Sequence, residues 1–353
     1  MTDTPQKAGA VTLGVDAMGT DAGPDALIKG AARAVESGVD ARIIFFGDAN
    51  RIRPMVEAAP ALAGSTIIDC PGVVAMTDKP MHVLRRGRDT SMWKAIEAQK
   101  EGVVQAVVSG GNTGALMAVA RMQLGMIPGV DRPAVTALWP TPRGRTVVLD
   151  VGANVEASEQ ELVDFAIMGE AFFRALTGMK KPSVGLLNVG AEELKGHDLI
   201  RNAARILREA DPDMAFTGFV EGNDISQGSV DVVVTDGFTG NVALKSAEGA
   251  ARLVGGWIKE ALTGSILAKL GALLMMGELR KLKEKIDPSS VNGGVFLGVN
   301  GVVVKSHGGA DDKGVAAAIS MAASLVGRGF RKEVAETVAL VHKRAGKSLE
   351  AAE

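Results

Sequence analysis

The feature that most constrains the fold is a junction in which an apolar run ends in a polar, glycine-containing turn before a helix-like segment. The clearest example is the segment 229–245, SVDVVVTDGFTGNVALK. This pattern is typical of a buried strand, a turn and the first turn of a helix. Ligands bind beyond the carboxyl ends of strands in open α/β sheets, and helix N-termini offer free N–H groups. The segment therefore favours an anion site or, equally, an ordinary capped connection, and its candidate ligands are Asp236, Thr239, Gly240 and Asn241.

The same junction recurs along most of the chain, which predicts an α/β fold. Apolar runs of strand length precede polar turns at residues 11–15, 43–46, 66–69, 103–109, 183–187 and 216–220. Strands that alternate with helical segments form a parallel sheet. The runs 135–138 and 146–150 are joined by a Pro-Arg-Gly turn, and a second pair of runs flanks Asn300-Gly301, so each pair predicts a hairpin. The sheet is therefore expected to be mostly parallel with an antiparallel part.

The composition excludes several other kinds of protein. With a formal net charge of -2 over 353 residues, the chain lacks the basic character of a general nucleic-acid binder. Its one cysteine, Cys70, permits neither an intramolecular disulfide nor a cysteine-based zinc site. The polar start of the sequence does not look like a signal peptide, and no uncharged apolar run reaches the roughly 20 residues that cross a bilayer. We therefore expect a soluble cytoplasmic protein without a nucleic-acid partner.

Polar side chains and glycines also follow the other predicted strands, so candidate ligands come from several parts of the chain. Three arginines lie within four residues before Ser91, where they form either a solvated turn or an anion site, because arginine and a helix N-terminus both suit phosphate. A single lysine such as Lys195 is most often a surface charge, but its position beyond a strand favours a role in binding. The remaining candidates are Asp16, Gly19, Arg85, Arg88, Ser91, Asn112, Thr113, Asn154, Asn188 and His307.

Several common catalytic motifs are missing from the sequence. It contains no P-loop, no complete dinucleotide fingerprint, no H-E-x-x-H and no G-x-S-x-G. Cys70 precedes Pro71-Gly72 in an apolar context and is expected to be structural. The polar strand ends therefore suit the binding of phosphate and the stabilisation of an oxyanion better than the formation of an acyl-enzyme. No cofactor and no metal site are predicted, and whether a metal helps to bind phosphate stays open.

A strongly apolar segment follows the junction at 229–245. Within residues 261–276, one helical face carries Ile266, Leu267, Leu270, Leu273 and Leu274. The run is too short to span a bilayer. Two interpretations remain, and they are compatible: a helix pair in the core or in a dimer interface, and a helical hairpin that lies on a membrane surface with its apolar residues inserted.

Six motifs together resemble the bacterial phosphate acyltransferase family. They are V-D-A-M-G at 15–19, N-T-G-A-L-M at 112–117, L-D-V-G-A-N at 149–154, G-L-L-N-V-G at 185–190, D-G-F-T-G-N at 236–241 and L-G-V-N-G at 297–301. The motifs occur in the family's order and cover nearly the whole chain. The departures are small: the family usually has glycine where Thr20 stands, alanine where Gly110 stands and a basic residue where Asn223 stands.

The resemblance implies an enzyme that makes acyl-phosphate from acyl-[acyl carrier protein] and inorganic phosphate, and so feeds glycerol-3-phosphate acylation in phospholipid synthesis. It implies a three-layer α/β/α sandwich, like isocitrate and isopropylmalate dehydrogenases and phosphotransacetylases, as one domain over residues 1–353. It also implies a homodimer without a cofactor that binds the inner face of the cell membrane peripherally through a helical hairpin at about 257–286. The downstream glycerol-3-phosphate acyltransferase is a further expected partner.

By motif, the family's essential lysine corresponds to Lys195 and its essential asparagine to Asn241. We therefore expect direct phosphorolysis of the thioester, with phosphate held near Asn112 and Thr113. In this mechanism Lys195 neutralises developing negative charge, and Asn241 donates to the oxyanion or orients phosphate. Three other functions stay open: a coenzyme A-dependent phosphotransacetylase, a decarboxylating NAD-dependent dehydrogenase, and a non-enzymatic scaffold that binds the carrier at the membrane. The arginines at 85–88 suit an acidic carrier in either role.

Overall fold

The β-branched runs form strands and the segments after them form helices in the computed structural model, which describes residues 11–20, 23–210, 214–279, 294–327 and 329–350. The strands are β1 (Val11–Asp16), β2 (Ala41–Gly47), β3 (Thr66–Asp69), β4 (Ala106–Ser109), β5 (Ala134–Thr141), β6 (Gly144–Leu149), β7 (Ser183–Leu187), β8 (Ala215–Val220), β9 (Val232–Val234), β10 (Gly294–Leu297) and β11 (Val302–Lys305). The helices are α1 (Pro24–Glu36), α2 (Ala49–Glu57), α3 (Pro80–Arg86), α4 (Ser91–Lys100), α5 (Thr113–Leu124), α6 (Glu159–Thr177), α7 (Asp198–Ala210), α8 (Gly222–Gln227), α9 (Gly237–Thr263), α10 (Ile266–Leu274), α11 (Asp312–Gly327) and α12 (Phe330–Glu350).

The strands of the described residues form one sheet of eleven strands, in the order β3-β2-β1-β4-β11-β10-β5-β6-β9-β7-β8. The strands from β3 to β11 in this order are parallel to one another, and so are those from β6 to β8. Three antiparallel pairs, β11–β10, β10–β5 and β5–β6, separate these two halves. The predicted mixture of parallel and antiparallel pairing is therefore confirmed. Because the number of reversals is odd, the two parallel halves run in opposite directions. The pairings also stagger the halves along the strands: Val304 pairs with Val295, Val295 lies opposite Thr136, and Thr136 pairs with Leu149. The carboxyl ends of the two halves therefore lie at nearly the same height along the strand direction, on either side of β10 and β5.

Helices cover both faces of the sheet, which confirms the predicted three-layer α/β/α sandwich. Successive residues of a strand point to opposite faces. Val147 and Leu149 of β6 belong to the largest apolar core, whereas Val148 between them packs on the other face. The largest core also includes the buried faces of α1, α2, α6, α7, α11 and α12. On the other face, α3, α4 and α5 cover one half of the sheet, and α8 and the first part of α9 cover the other.

Three short helices, α2, α3 and α8, are not predicted by the sequence pattern. Around the three arginines, where the sequence predicts a solvated turn or an anion site, the structure has the end of α3, with exposed Arg85 and Arg86, followed by an exposed turn that holds Arg88. Pro54 lies inside α2 and hides its helical pattern. Helices of this length are stabilised by packing more than by intrinsic propensity, so local sequence gives only a weak signal for them.

The apolar hairpin is longer at its N-terminal side than predicted. Helix α9 runs without a break from Gly237 to Thr263, so the expected start at about 257 lies inside it, and α10 packs against α9. Residues 280–286 of the predicted hairpin lie outside the described residues. All five predicted apolar residues are exposed, from 55% for Leu270 to 89% for Leu274. The interpretation that this helix pair lies in the core of its own chain is therefore wrong, and an interface with a second copy or with a membrane remains.

Candidate active site

The polar strand ends divide into two groups, one at the carboxyl ends of each parallel half of the sheet. The Asp150 group follows β6, β7 and β9 and consists of residues 150–154, 188–197 and 236–241. The Asp16 group follows β1, β4 and β11 and consists of residues 16–20, 109–113 and 305–309, together with Ser91 at the start of α4. Of the predicted site residues, Lys195, Asn241, Asn154, Asn188, Asp236, Thr239 and Gly240 lie in the first group, and Asp16, Gly19, Ser91, Asn112, Thr113 and His307 lie in the second.

The Asp150 group is built around one buried carboxylate. Oδ1 of Asp150 accepts hydrogen bonds from the backbone N–H groups of Val135, Gly152 and Ala153, at 3.0, 3.2 and 3.0 Å. Its Oδ2 accepts from the backbone N–H of Asn154 at 2.7 Å and from the Asn154 side chain at 2.9 Å. Five donors around a fully buried carboxylate fix the loop 150–154 in one conformation.

This loop supports the first turn of α9, which carries Asn241. A Cβ atom on Gly240 would lie 1.9 Å from the carbonyl oxygen of Asp150, and a Cβ atom on Gly237 would lie 2.3 Å from that of Asn154. Both positions therefore require glycine, because helix and loop approach closer than any side chain allows. Asn241 lies beside Gly152, whose added Cβ would be 3.7 Å from the Asn241 amide carbon.

Asp236 caps the same helix. Its Oδ1 accepts from the backbone N–H of Thr239 at 2.8 Å, and its Oδ2 accepts from the Thr239 hydroxyl at 2.8 Å. The side chains of both residues thus hold the start of α9 in place. Their role in the structure is to orient the helix, and their predicted contact with phosphate stays a prediction.

Asn188 holds the loop that carries Lys195. Its Nδ2 donates to the carbonyl of Lys195 at 3.1 Å, and its Oδ1 accepts from the N–H of Val189 at 2.9 Å. Asn188 is buried, whereas the side chain of Lys195 is exposed. The loop backbone is thereby fixed, while the ammonium group faces solvent.

Lys195 and Asn241 are two polar side chains of the Asp150 group that remain available for a substrate. Both are exposed, and neither side chain makes a hydrogen bond or ion pair with the described part of the chain. They follow β7 and β9, which are neighbouring parallel strands, and such strands lie about 4.8 Å apart. A cation and an amide donor on adjacent strand ends can act together on one anionic group.

The Asp16 group contains a second buried carboxylate. Asp16 accepts hydrogen bonds from the hydroxyls of Ser91 at 2.7 Å and Ser109 at 2.6 Å. Burial raises the pKa of Asp16, while the bonds from Ser109 and Ser91 and the positive charge of Lys305 act in the opposite direction. Lys305 is also buried, and its Nζ donates to the carbonyls of Gly110 at 3.2 Å and of Ser306. This cluster ties β1, β4, β11 and the start of α4 together.

Both polar atoms of the Asn112 side chain form hydrogen bonds within the protein. Its Oδ1 accepts from the N–H of Ala115 at 3.0 Å, so it caps α5. Its Nδ2 donates to the carbonyls of Met76 and Asp78, each at 2.9 Å. The predicted contact of Asn112 with phosphate would therefore have to come from its backbone. Thr113, at the first position of α5, is exposed.

Gly19 and His307 complete the Asp16 group. A Cβ atom on Gly19 would lie 2.7 Å from the backbone nitrogen of Gly111, so the two loops touch through their backbones. His307 is exposed, and its Nδ1 accepts from the N–H of Gly309 at 3.1 Å. Arg85 and Arg88 lie outside both groups, on the exposed end of α3 and in the turn after it.

Two of the departures from the family pattern compensate for each other. A Cβ atom on Gly110 would lie 2.5 Å from the methyl group of Thr20. Threonine at position 20 and alanine at position 110 therefore exclude each other, and this chain has the larger residue at 20 and glycine at 110. The departures preserve the contact between the two loops.

Sequence reasoning does not single out Asp150, Lys305 or Ser109. Lys305 ends an apolar run and looks like the exposed end of a strand, and its burial depends on the pairing of β11 with β4. For Asp150, the L-D-V-G-A-N motif offers a signal, since an acidic residue before a glycine-containing turn can accept several N–H groups. Within the described residues, no cluster of three or more His, Cys, Asp or Glu side chains has the arrangement of a metal site.

A family model and individual related proteins each match most of the chain. The family model described as "Fatty acid synthesis protein" matches residues 11–333. The phosphate acyltransferase of Maricaulis maris (strain MCS10) is 52% identical over 327 residues, which are 92% of this chain and 93% of that protein. The phosphate acyltransferase of Parvibaculum lavamentivorans (strain DS-1) is 54% identical over 314 residues, 88% of this chain and 87% of its own length.

Solved structures of similar fold are much more distant in sequence. A phosphotransacetylase from Streptococcus pyogenes is 18% identical with a TM-score of 0.62, and the match covers 90% of this chain and 94% of that one. A putative 4-hydroxythreonine-4-phosphate dehydrogenase from Salmonella typhimurium is 15% identical with a TM-score of 0.52, covering 89% and 99%. At such low identity the likeness concerns the fold alone, and acyltransferases and dehydrogenases share it.

Proposed function

This chain belongs to the phosphate acyltransferases, an enzyme family of fatty acid and phospholipid synthesis, and on that basis we propose that it makes acyl-phosphate from acyl-[acyl carrier protein] and inorganic phosphate. The observation that carries the proposal is the pair of exposed side chains, Lys195 and Asn241, in the loops that follow the neighbouring strands β7 and β9; neither makes a hydrogen bond or ion pair with the residues that the structure describes. The product feeds the acylation of glycerol-3-phosphate by a downstream enzyme.

The reaction is a direct phosphorolysis of the thioester. A phosphate oxygen attacks the carbonyl carbon, a C–O bond forms, and the carbonyl electron pair moves onto oxygen. When this tetrahedral species collapses, the C–S bond breaks and the carrier's thiolate leaves with its electron pair and takes up a proton. Because the conjugate thiol has a pKa of roughly 8.5, the leaving group needs no strong general acid.

Each of the two exposed residues has a distinct task. The Lys195 ammonium attracts phosphate and offsets the charge that develops as the two reactants combine. The Asn241 Nδ2 donates to the oxyanion, and its helix is held in advance by Asp150 and Asp236, so little reorganisation is needed. Positioning phosphate beside the thioester supplies a further part of the barrier reduction, because effective molarities of oriented reactants correspond to roughly 7–11 kcal/mol.

Substitution of these two residues tests the assignment. We expect Lys195→Ala and Asn241→Ala each to lower kcat/KM by about 10²–10³-fold, as loss of one oxyanion donor does. Lys100→Ala is the matched control, because Lys100 is also exposed and makes no hydrogen bond or ion pair with the described part of the chain. Both active-site variants should keep the wild-type unfolding curve. Wild-type turnover in either one would remove that residue from the site.

The carrier-bound substrate distinguishes the proposal from a coenzyme A-dependent phosphotransacetylase. We expect a lower KM with acyl-[acyl carrier protein] than with acyl-coenzyme A of the same chain length. A preference for acyl-coenzyme A would favour the rival activity. Neither outcome depends on the fold, which both kinds of enzyme share.

The helix pair α9–α10 supports a second part of the proposal, a homodimer that associates peripherally with the inner face of the cell membrane. At 27 residues α9 is about 40 Å long, and the described part of it buries only Gly237 and Gly240. The large apolar residues of α10 are exposed, and large exposed apolar patches mark contact with another protein or a lipid surface. No helix among the described residues has the length and apolarity to cross a membrane.

A further inference from the structure

One face of the molecule carries a concentration of positive charge outside both groups of strand ends. Between positions 79 and 88 stand Lys79, Arg85, Arg86 and Arg88, with no acidic residue among them. All four side chains are exposed on α3 or next to it. Val83 is the buried residue of this helix, and Gly87 directly after it is also buried, which directs the cations outward. We call residues 79–88 the α3 cationic face.

The cations of this face have no partner in the described part of the chain. None of the four takes part in a hydrogen bond or ion pair there. Many other cations of the molecule are neutralised locally: Lys29 pairs with Asp25 at 2.8 Å, and Arg205 pairs with Glu209 at 2.8 Å. Unneutralised charges of one sign on a single surface produce a field that attracts a partner of opposite sign.

Exposed apolar side chains accompany these cations. Met81 on α3 is 59% exposed, and Val73 and Met76 in the preceding segment are 47% and 45% exposed. Methionine and arginine are enriched in protein–protein interfaces, where apolar contact and charge recognition are combined. A small anion such as phosphate would not contact the apolar part of this surface.

The α3 cationic face lies directly beside the Asp16 group. The side-chain amide of Asn112, at the start of α5, binds the carbonyls of Met76 and Asp78, immediately before the face. Immediately after it, the hydroxyl of Ser91 donates to Asp16. Both ends of the segment are thus fixed to strand ends of the sheet. A protein bound here would sit at the rim of this group.

We propose that the α3 cationic face is the docking surface for the acidic acyl carrier protein that delivers the thioester; this inference rests on the proposed function. Acidic side chains of the carrier pair with the arginine guanidinium groups, and the three methionine and valine side chains contact its apolar surface. Charge complementarity of this kind accelerates association and makes it depend on ionic strength. The face therefore determines KM for the carrier and leaves the chemical step unchanged.

A charge-reversal experiment tests this proposal. Lys79→Glu/Arg86→Glu is the informative variant, because Arg85 and Arg88 are also predicted to contact phosphate. We expect its KM for acyl-[acyl carrier protein] to rise by at least about tenfold, because like charges then oppose each other, while kcat and the KM for inorganic phosphate stay within about twofold. The wild-type increase of KM with salt should be largely lost. Arg53→Glu/Lys100→Glu, which changes the net charge equally at exposed positions on α2 and α4, is the control.

The possible results separate a carrier-docking surface from a membrane contact and from a general effect of net charge. An unchanged KM for the carrier in the Lys79→Glu/Arg86→Glu variant, or an equal rise in the control variant, overturns the proposal. Loss of binding to vesicles that contain phosphatidylglycerol, with an unchanged KM for the carrier, assigns the face to the membrane and also overturns it. Failure of the proposed function is distinct, because the wild-type enzyme would then form no acyl-phosphate from carrier and phosphate.

Discussion

The contact between α9 and the loop 150–154 makes a strong prediction for Gly240→Ala. The new Cβ would lie 1.9 Å from the Asp150 carbonyl oxygen, so helix or loop has to move by about 1.5 Å to reach ordinary contact. Overpacking of this kind costs about 3 kcal/mol at the upper end of its usual range. Alanine in a helix recovers about 1 kcal/mol relative to glycine, which leaves a net loss of about 2 kcal/mol in the free energy of unfolding.

The same displacement should impair catalysis more than stability. Asn241 is the residue after Gly240, so a shift of the first turn moves its amide away from the oxyanion. Misplacement by about 1 Å can cost on the order of 10²-fold in rate. We therefore expect Gly240→Ala to lower kcat by about that factor, measured as acyl-phosphate formation, while denaturant unfolding reports the stability change.

Gly249→Ala provides the matched control on the same helix. Beyond its chain neighbours and the backbone of its own helix, no atom lies within 4 Å of a Cβ placed there, so we expect full activity and a gain of up to about 1 kcal/mol. Wild-type kcat and stability in Gly240→Ala would refute the argument that the loop 150–154 positions Asn241.

Three further predictions follow from other parts of the structure. Burial raises the pKa of the Cys70 thiol to about 11. At pH 8, iodoacetamide should therefore alkylate the native protein on the order of 10²-fold more slowly than it alkylates an exposed thiol of pKa 8.5, and Cys70→Ser should stay active. Fast alkylation, or an inactive Cys70→Ser variant, would contradict a purely structural role for Cys70. Leu273→Asp/Leu274→Asp should abolish co-sedimentation with vesicles while kcat is retained. If size-exclusion chromatography showed instead that the variant dissociates from a dimer, these residues would belong to an interface between two copies of the chain. Gly110→Ala should destabilise the fold by about 1–3 kcal/mol, and adding Thr20→Gly should restore most of that loss, whereas additive effects in the double-mutant cycle would exclude the compensation.

The fold could be predicted largely because its strands are buried on both faces. Continuous apolar runs such as residues 43–46 and Ser183–Leu187 lie in β2 and β7, and such runs are typical of parallel sheets covered by helices. The capping box of α6, in which Ser158 and Glu161 bind each other's backbone, is also readable as S-x-x-E.

The site could be predicted only in part, because its supporting contacts join distant segments. Lys195 and Asn241 lie in loops after recognisable strands, and it is the pairing of β7 with β9 that makes those two strands neighbours. The role of Asp150 depends on a hydrogen bond from Val135 in the neighbouring strand β5, and the burial of Lys305 depends on β11 lying next to β4. No local pattern contains these pairings. The division of the strand ends into two groups likewise follows from the three antiparallel pairs in the middle of the sheet.

The most direct test of the proposed reaction measures the product formed from acyl-[acyl carrier protein] with and without inorganic phosphate. With phosphate, the account predicts one acid-labile acyl-phosphate for each carrier thiol released, and without it neither product should accumulate. Lys195→Ala should lower both rates together. Release of the carrier thiol without phosphate, or with free fatty acid in place of acyl-phosphate, would contradict direct phosphorolysis.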